Sequence, residues 1–553
     1  DRFTGSGDLS WRPTYWLEGH ATAGLDFTER RDIRFQATGT GPNFATRFQG
    51  DRISDSRTIY QYTLDVGATA QFQLSPTVSS KTTVAGQYFR TNVEQIETTG
   101  QILAPGAGSQ KSASTQFIDE DFIESRTLGF FIEEALGFNE RFFINGALRF
   151  DDNSAFGEEF DGTIYPKAGV SWVAQEGGGG GFLDNLRLRG AFGASGQQPG
   201  SNDATQFFTG ISVIDDAGEQ SGVRISNAGN ANLKPERSTE VEVGFDAGLF
   251  ANRVGLEFTY YNRTTTDALI ERTLAPSIGL TTSVLDNIGE TNNKGIELGL
   301  NMVLFDSPSF SWDMSISGST NSNEIVTLGC QVDVDPCPAG SEIEPIIIGS
   351  QNQHRKGRPL GAWFDESFTF DDLDGDGIIE QNEITYSDTN EFIGYPRPRY
   401  EISFFNAINF GERLRVSGLF DYRGGHKQFN LTEAFRCGFN ICQWINDPSS
   451  TLAEQAAAQT RRGGPGTGAA FIEDAWFIKL RELSFTFFFP QGFAEGLGMD
   501  RMNLTVTGRN LLTITDYLGA DPEVQGQTGN FTGRDFLTQP QVRYWTARLN
   551  LTF

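Results

Sequence analysis

The chain has 553 residues, rich in Gly (64) and Phe (47) and poor in His (3), Met (4) and Cys (4), with the same texture from end to end. A formal charge of −28 excludes nucleic-acid binding through a basic surface. No stretch approaches the ~18 consecutive apolar residues of a spanning helix, so no transmembrane helix is expected.

The chain opens at Asp1, without an initiator Met, a charged n-region or an apolar h-region, so a processed or truncated start is expected. From there period-two alternation dominates, and about 17 strands are expected. Their centres fall near residues 7, 22, 66, 88, 130, 146, 168 and 189, then 243, 262, 298, 316, 405, 420, 481, 506 and 547. Short turns join them in pairs, near Pro13–Thr14, Ser75–Pro76, Asn139–Glu140, Gly177–Gly181, Ala251–Asn252, Ser307–Pro308, Gly411–Glu412 and Gln491–Gly498. Long segments rich in Gly, Asp, Asn and Ser separate the pairs, near 29–57, 98–121, 152–161, 197–235, 272–290, 324–398, 428–471 and 513–540. Short periplasmic turns with longer outer loops are the layout of an outer-membrane barrel. A short strand at Trp363–Phe370 is placed in an outer loop, and Thr451–Gln459 is the clearest helix candidate.

The last strand shows the alternation best. Trp545, Ala547, Leu549, Leu551 and Phe553 share one face, and Tyr544, Thr546, Arg548, Asn550 and Thr552 the other. An apolar face with an aromatic at each end suits lipid and its two interfaces, while the polar face suits a wet or plugged lumen. Trp545 and Phe553 are therefore assigned to an assembly signal. The fold expected is all-β, a transmembrane antiparallel barrel. Bacterial barrels have even strand numbers, so an odd count ending at Phe553 implies at least one strand missing on the N-terminal side.

Asp372–Glu383 reads DLDGDGIIEQNE and satisfies the twelve-residue Ca²⁺ loop at every defined position. Asp372, Asp374 and Asp376 would give side-chain oxygens, Ile378 a carbonyl, Glu380 a bridging water and Glu383 a bidentate carboxylate. No flanking helices are evident, so a structural Ca²⁺ site bracing a long loop is expected, against an acidic hairpin. Cys330–Cys337 and Cys437–Cys442 are two close pairs whose spacing differs from zinc sites. Local disulfides fit an oxidising setting, with two free pairs as the alternative. His20, His354 and His426 are scattered, and adjacent carboxylates such as Glu133–Glu134 and Glu158–Glu159 point apart or into solvent, so no enzyme is expected.

Asn230–Glu240 reads NANLKPERSTE, and NRVGLEFTYYNRTTTDALI follows it. Asn230, Asn232, Leu233, Lys234, Pro235, Glu236 and Glu240, with the downstream Asp267, closely resemble TonB-dependent receptors. Thr291–Gly299 (TNNKGIELG), Gly394–Pro398 (GYPRP), Phe477–Leu483 (FIKLREL), Gly508–Leu512 (GRNLL) and Gly519–Glu523 (GADPE) narrow the resemblance to SusC/RagA-like proteins. The resemblance covers essentially the whole chain. It implies a barrel of about 22 strands around a plug, of which residues 1–553 would be the C-terminal barrel portion. It further implies an outer-membrane location in a Gram-negative bacterium and surrounding lipid and lipopolysaccharide. The TonB complex would engage through an N-terminal part outside this chain, and a SusD-like lipoprotein would serve as lid.

Three functions compete: active import of an oligosaccharide or peptide, a passive porin, and a surface adhesin or scaffold. Trp363, Phe364 and Trp444 could stack on sugars or form the loops' own cores. The acidity fits either solubility or outer loops that gather cations.

Overall fold

The computed structural model describes the chain apart from residues 42–45, 158–161, 178–180, 216–217, 275–282, 331–342, 344, 349–350, 463–465 and 526–532. Seventeen strands, from Arg2–Thr14 to Tyr544–Thr552, belong to one sheet. Every expected strand centre falls inside one of them. The chain divides into two compact units, each taken by itself below.

The first unit comprises Asp1–Ser171, Ala191–Thr239 and Thr265–Ile288. Its strands Leu17–Gln36, Asp51–Ser75, Val78–Leu103, Ala113–Phe138 and Phe142–Asn153 pair antiparallel in sequence order. Register puts Val66, Gly86, Phe130 and Phe150 in one row, on one face of the pleat. That face is apolar yet exposed, with Val66 49%, Phe130 53% and Leu148 55% accessible. Water would penalise such a surface, and lipid does not. The opposite face is polar and internally bonded. His20 Nε2 meets Asp65 Oδ1 at 2.8 Å, Gln87 donates to Asp65 Oδ2 at 2.7 Å, and Arg149 donates to Gln87 at 2.6 Å. Gly129 stands between Gln87 and the Arg149–Asp151 pair, and a Cβ there would collide with Arg149. The missing side chain lets the guanidinium cross that strand.

The second unit comprises Trp172–Gly190, Glu240–Thr264 and Gly289–Phe553. Its strands repeat the two-faced pattern through Phe310–Thr327, Tyr400–Phe410, Leu414–Gly424, Phe477–Phe488, Arg501–Ile514 and Tyr544–Thr552. Aromatic rings gather at the short-turn ends. Phe310 meets Phe305 and Phe410 at 5.8 Å, and Phe489 meets Phe487 at 5.1 Å and Phe493 at 5.5 Å. Rings at that level suit a membrane interface.

The long outer loops of this unit fold into a cap. Ile346–Ile347, Asn352–His354, Ala362–Phe370 and Ile384–Gly394 form a four-stranded sheet, the expected loop strand among them. Helices Leu431–Gly438, Gln443–Asn446 and Leu452–Gln459 pack beside it, the last capped by Thr451, which accepts from Glu454 N. The first two of these helices were not expected from the sequence. Trp363, Phe429, Ala434, Phe471 and Ile472 make its core.

Candidate functional site

The cap and the strands that carry it hold most of the candidate residues. Loop Asp372–Glu383 leaves the strand Ala362–Phe370 and returns through Ile384–Gly394. Gly375 and Gly377 take φ of +72° and +79°, which lets the chain curl around Asp372. Asp372 accepts from Gly375 N at 2.8 Å and Gly377 N at 3.0 Å, and Asp376 accepts from Ile378 N at 2.8 Å. Carboxylate oxygens of Asp372, Asp374 and Asp376 lie within 4.8 Å of one another. Glu383 is buried and turned to the backbone, accepting from Leu373 N at 2.7 Å and Glu380 N at 2.9 Å. Ile378 is exposed.

The expected helix Leu452–Gln459 holds this loop, and what sequence reasoning missed is that contact. Gln455 Oε1 accepts from Ile379 N at 3.0 Å, and its Nε2 donates to Gly377 O at 3.2 Å. Gln459 donates to Ile379 O at 2.9 Å, while Ile379 is fully buried against Ala456 and Ile384. Two glutamines at i and i+4 share one helix face. That spacing was the available signal.

Cys437 and Cys442 are joined, with Cα atoms 4.7 Å apart, and both are fully buried in the cap core. Cys337 lies outside the described residues, so the pairing expected for Cys330 is not described. Trp363 is fully buried and donates to Lys427 O at 3.0 Å, Phe364 is buried, and Trp444 stacks on Phe471 at 5.5 Å. These rings are the cap's own core, not a sugar platform.

Two of the sequence motifs close on each other. Lys479 Nζ, on the strand Phe477–Phe488, donates to Asp521 at 2.7 Å and Glu523 at 2.9 Å. Arg481 donates to both oxygens of Glu523 at 2.6 Å and to Asp421 at 2.7 Å. Burial alone would raise the Glu523 carboxyl, but Arg481 and Lys479 hold it down, at about 2. Past this clasp, Gln428 donates to Val524 O at 2.6 Å and Arg534–Asp535 pairs parallel with Phe429–Asn430.

The other motif lies in the first unit. Asn230 Oδ1 accepts from Asn232 N at 3.0 Å, an Asx-turn, and its amide donates to Leu285 O at 2.9 Å. Leu233 is fully buried, and Lys234 exchanges backbone bonds with the Asn287 side chain at 3.0 and 2.7 Å. Lys234 Nζ meets Asp267 at 2.8 Å, and Glu236 accepts from Leu269 N at 2.9 Å. Pro235 stands next to the strand Glu236–Leu249. In the second unit, Glu240 stands 3.8 Å from Arg263.

Trp545 and Phe553 are exposed on the apolar face of the last strand. Glu133 turns to Lys167 at 3.2 Å and Glu134 to Ser80 at 2.6 Å, so this carboxylate pair diverges. Glu158 and Glu159 lie outside the described residues.

Residues 1–435 match the family described as TonB dependent receptor-like, beta-barrel. TonB-dependent receptor P3 of Formosa agariphila is 29% identical over 449 residues, 73% of this chain and 43% of that protein. TonB-dependent receptor SusC of Bacteroides thetaiotaomicron is 23% identical over 443 residues, 75% of this chain and 42% of that protein. The structure of the RagAB peptide transporter superposes with a TM-score of 0.83 at 19% identity, covering 100% of this chain and 62% of that one. The chain thus spans less than two thirds of the length of these relatives.

Proposed function

We propose, for a chain that belongs to the β-barrel family of TonB-dependent receptors and is SusC/RagA-like, that it forms the wall and outer cap of a nutrient importer. Residues 1–553 supply the membrane-spanning portion. TonB acts through a further, N-terminal part of the protein, and the cargo is an oligosaccharide or a peptide. A SusD-like surface lipoprotein serves as lid. The observation that carries the reading is the buried clasp of Lys479 and Arg481 on Asp521 and Glu523, which pins the cap to the wall strands. Burying these four charges is tolerable only because each is paired. A selective importer has use for such a tether, because its outer surface must hold one shape to recognise cargo.

Calcium belongs to the same reading. Asp372, Asp374 and Asp376 fit a hard cation as a donor set; Ile378, Glu380 and Glu383 complete only the sequence pattern, since both Glu383 oxygens accept from Leu373 N and Glu380 N and would have to turn to reach an ion. The ion would brace the loop that Gln455 and Gln459 hold. Calorimetry on purified protein tests this: no heat at millimolar calcium, and none altered by Asp376→Ala with Glu383→Gln, rejects it.

Uptake of labelled oligopeptides and oligosaccharides by cells carrying the full-length protein tests the main reading. TonB-dependent accumulation of either is expected. Equal entry of small solutes with TonB inactivated would favour the porin, and binding without entry the adhesin.

A further inference from the structure

We propose that a ladder of arginines at the base of the cap binds an oligosaccharide bearing carboxylates or sulfates, with Arg358 and Arg399 holding the acidic groups. The inference rests on the importer reading above and narrows its cargo. In a chain of charge −28, two short segments of the second unit, HRKGR and PRPR, bring together Arg355, Lys356, Arg358, Arg397 and Arg399. None of the five makes an ion pair among the described residues.

Aromatic rings hold three of them in line. Phe364 meets Phe392 directly across the cap sheet at 5.6 Å, and Phe392 meets Tyr395 at 5.9 Å. Arg355 lies 4.5 Å over Phe364, Arg358 4.4 Å over Phe392 and Arg399 4.5 Å over Tyr395. Stacking fixes a guanidinium by its face and leaves the N–H groups around its edge to reach an acceptor. Arg355 gives two of its own to Gln353, whereas the side chains of Arg358 and Arg399 make no hydrogen bond among the described residues. Neighbouring carboxylates do not cancel the charge. Glu401 is held by Arg423 at 3.3 Å, and Asp365 accepts from Gly468 N at 2.7 Å. Glu324 alternates with Asn323, and Glu391 with Phe392, so both point to the opposite faces of their strands. Glu366, beside Phe364, and Glu290, opposite Thr327, remain, two carboxylates against five cations among the described residues.

Register places the ladder on the cargo side. Ile316, Phe404 and Phe420 form one apolar row, and alternation turns Asn321, Asn323 and Glu401 to the other, polar face. Arg399 O accepts from Asn321 N at 3.0 Å, so the pairing runs on and Arg399 shares the polar face with Glu401. Gly357 N donates to Ile325 O at 2.8 Å and Leu360 N to the Asn323 side chain at 2.7 Å, which seats the other segment beside the same strand end. In an importer the polar face is the one that cargo passes. The backbone bonds also decide the chemical class. Arg358 N is taken by Arg355 O, Arg358 O by Ile325 N and Arg399 N by Gly424 O. An extended peptide would find no backbone partner here for its own N–H and C=O groups. A sugar chain brings only hydroxyls, which stay hydrated, and acidic groups, which a planar guanidinium engages through two parallel N–H bonds.

Calorimetry on the purified full-length protein tests this with hexagalacturonate and sulfated maltohexaose, against neutral maltohexaose and hexaglutamate. Binding of at least one acidic sugar is expected, weaker as salt rises, and none of maltohexaose. Arg358→Ala with Arg399→Ala should weaken that binding about tenfold or more. Arg358→Lys with Arg399→Lys keeps the charge but loses the fork, should fall between, and serves if the alanine pair fails to fold. Arg436→Gln, at an exposed cap arginine paired with Glu433, should leave binding unchanged. Silence of both acidic sugars at millimolar concentration overturns the proposal. So does undiminished binding in the alanine pair, or in the lysine pair where that alone folds, and so does tighter binding of hexaglutamate. Acidic-sugar binding combined with uptake indifferent to TonB would instead overturn the importer reading.

Discussion

Lys479 shows how much a single side chain can hold. Its side chain is 3% exposed, and its ammonium sits between Asp521 and Glu523. Removing one partner of a buried pair leaves the other charge stranded, at a cost of about 3–5 kcal/mol. Lys479→Ala should therefore expose the segment around residues 515–525 to protease, and Arg481→Lys, which keeps charge but loses the fork on Glu523, should do so less. Full protection in Lys479→Ala would show that the clasp carries no load. The histidines give a pH test. Burial holds His354 and His426 at about 4 from an ordinary 6.5, so both are neutral in the folded cap. His354 Nδ1 accepts from Gly361 N at 3.0 Å, a bond its protonated form cannot make. With folded values depressed, their contribution is full above pH 6.5 and drains as pH falls towards 4. Protease protection of the cap should fall across that window, and His354→Gln with His426→Gln should flatten the fall. At this scale the sequence marked FIKLREL and GADPE as signatures. It could not show that they meet, because contact across some forty residues leaves no periodic trace.

At the level of elements, the strands of the large sheet were legible, whereas the short helices and the hairpin Phe207–Asp215 with Gly218–Asn227, inside an expected loop, were not. Alternation repeats every two residues and survives in any strand longer than a few, so every strand of the sheet could be found. Helix Leu431–Gly438 has barely two turns, too few for a 3.6-residue period to stand out from the loop around it. Leu452–Gln459 was legible from its three consecutive alanines, and the structure adds a capping box of Thr451 and Glu454 at its start. The acidic loop and this helix were each readable, but not the docking of one on the other. The disulfide Cys437–Cys442 closes a short ring inside the cap core, worth roughly 2–3 kcal/mol in the chain-entropy model. Cys437→Ser with Cys442→Ser should open the helical segment to limited proteolysis while leaving the wall strands protected. On the last strand, Leu549 faces Leu504 on the apolar side, 55% exposed. Leu549→Arg should cost about 2–4 kcal/mol if that level is the midplane, and deletion of Phe553 should reduce insertion; normal surface levels after both would refute the lipid assignment.

For the molecule as a whole, stability is divided between two kinds of chemistry. The wall depends on backbone ladders and a lipid-matched surface, whereas the cap depends on a dry core, a disulfide and buried charge. Unheated protein should migrate faster than heated protein on a gel, and reduction should leave that shift intact while abolishing cap protection. Loss of the shift on reduction would contradict the division. The clasp of Lys479 and Arg481 on Asp521 and Glu523 also constrains evolution and engineering. An outer loop fixed by charges rooted in a wall strand cannot be exchanged alone. A chimera that imports residues 515–535 from a relative without its matching strand would bury mismatched ions. Cargo preference in such proteins should therefore travel in blocks that join loop to strand, and recombination between relatives should favour breakpoints outside that pair.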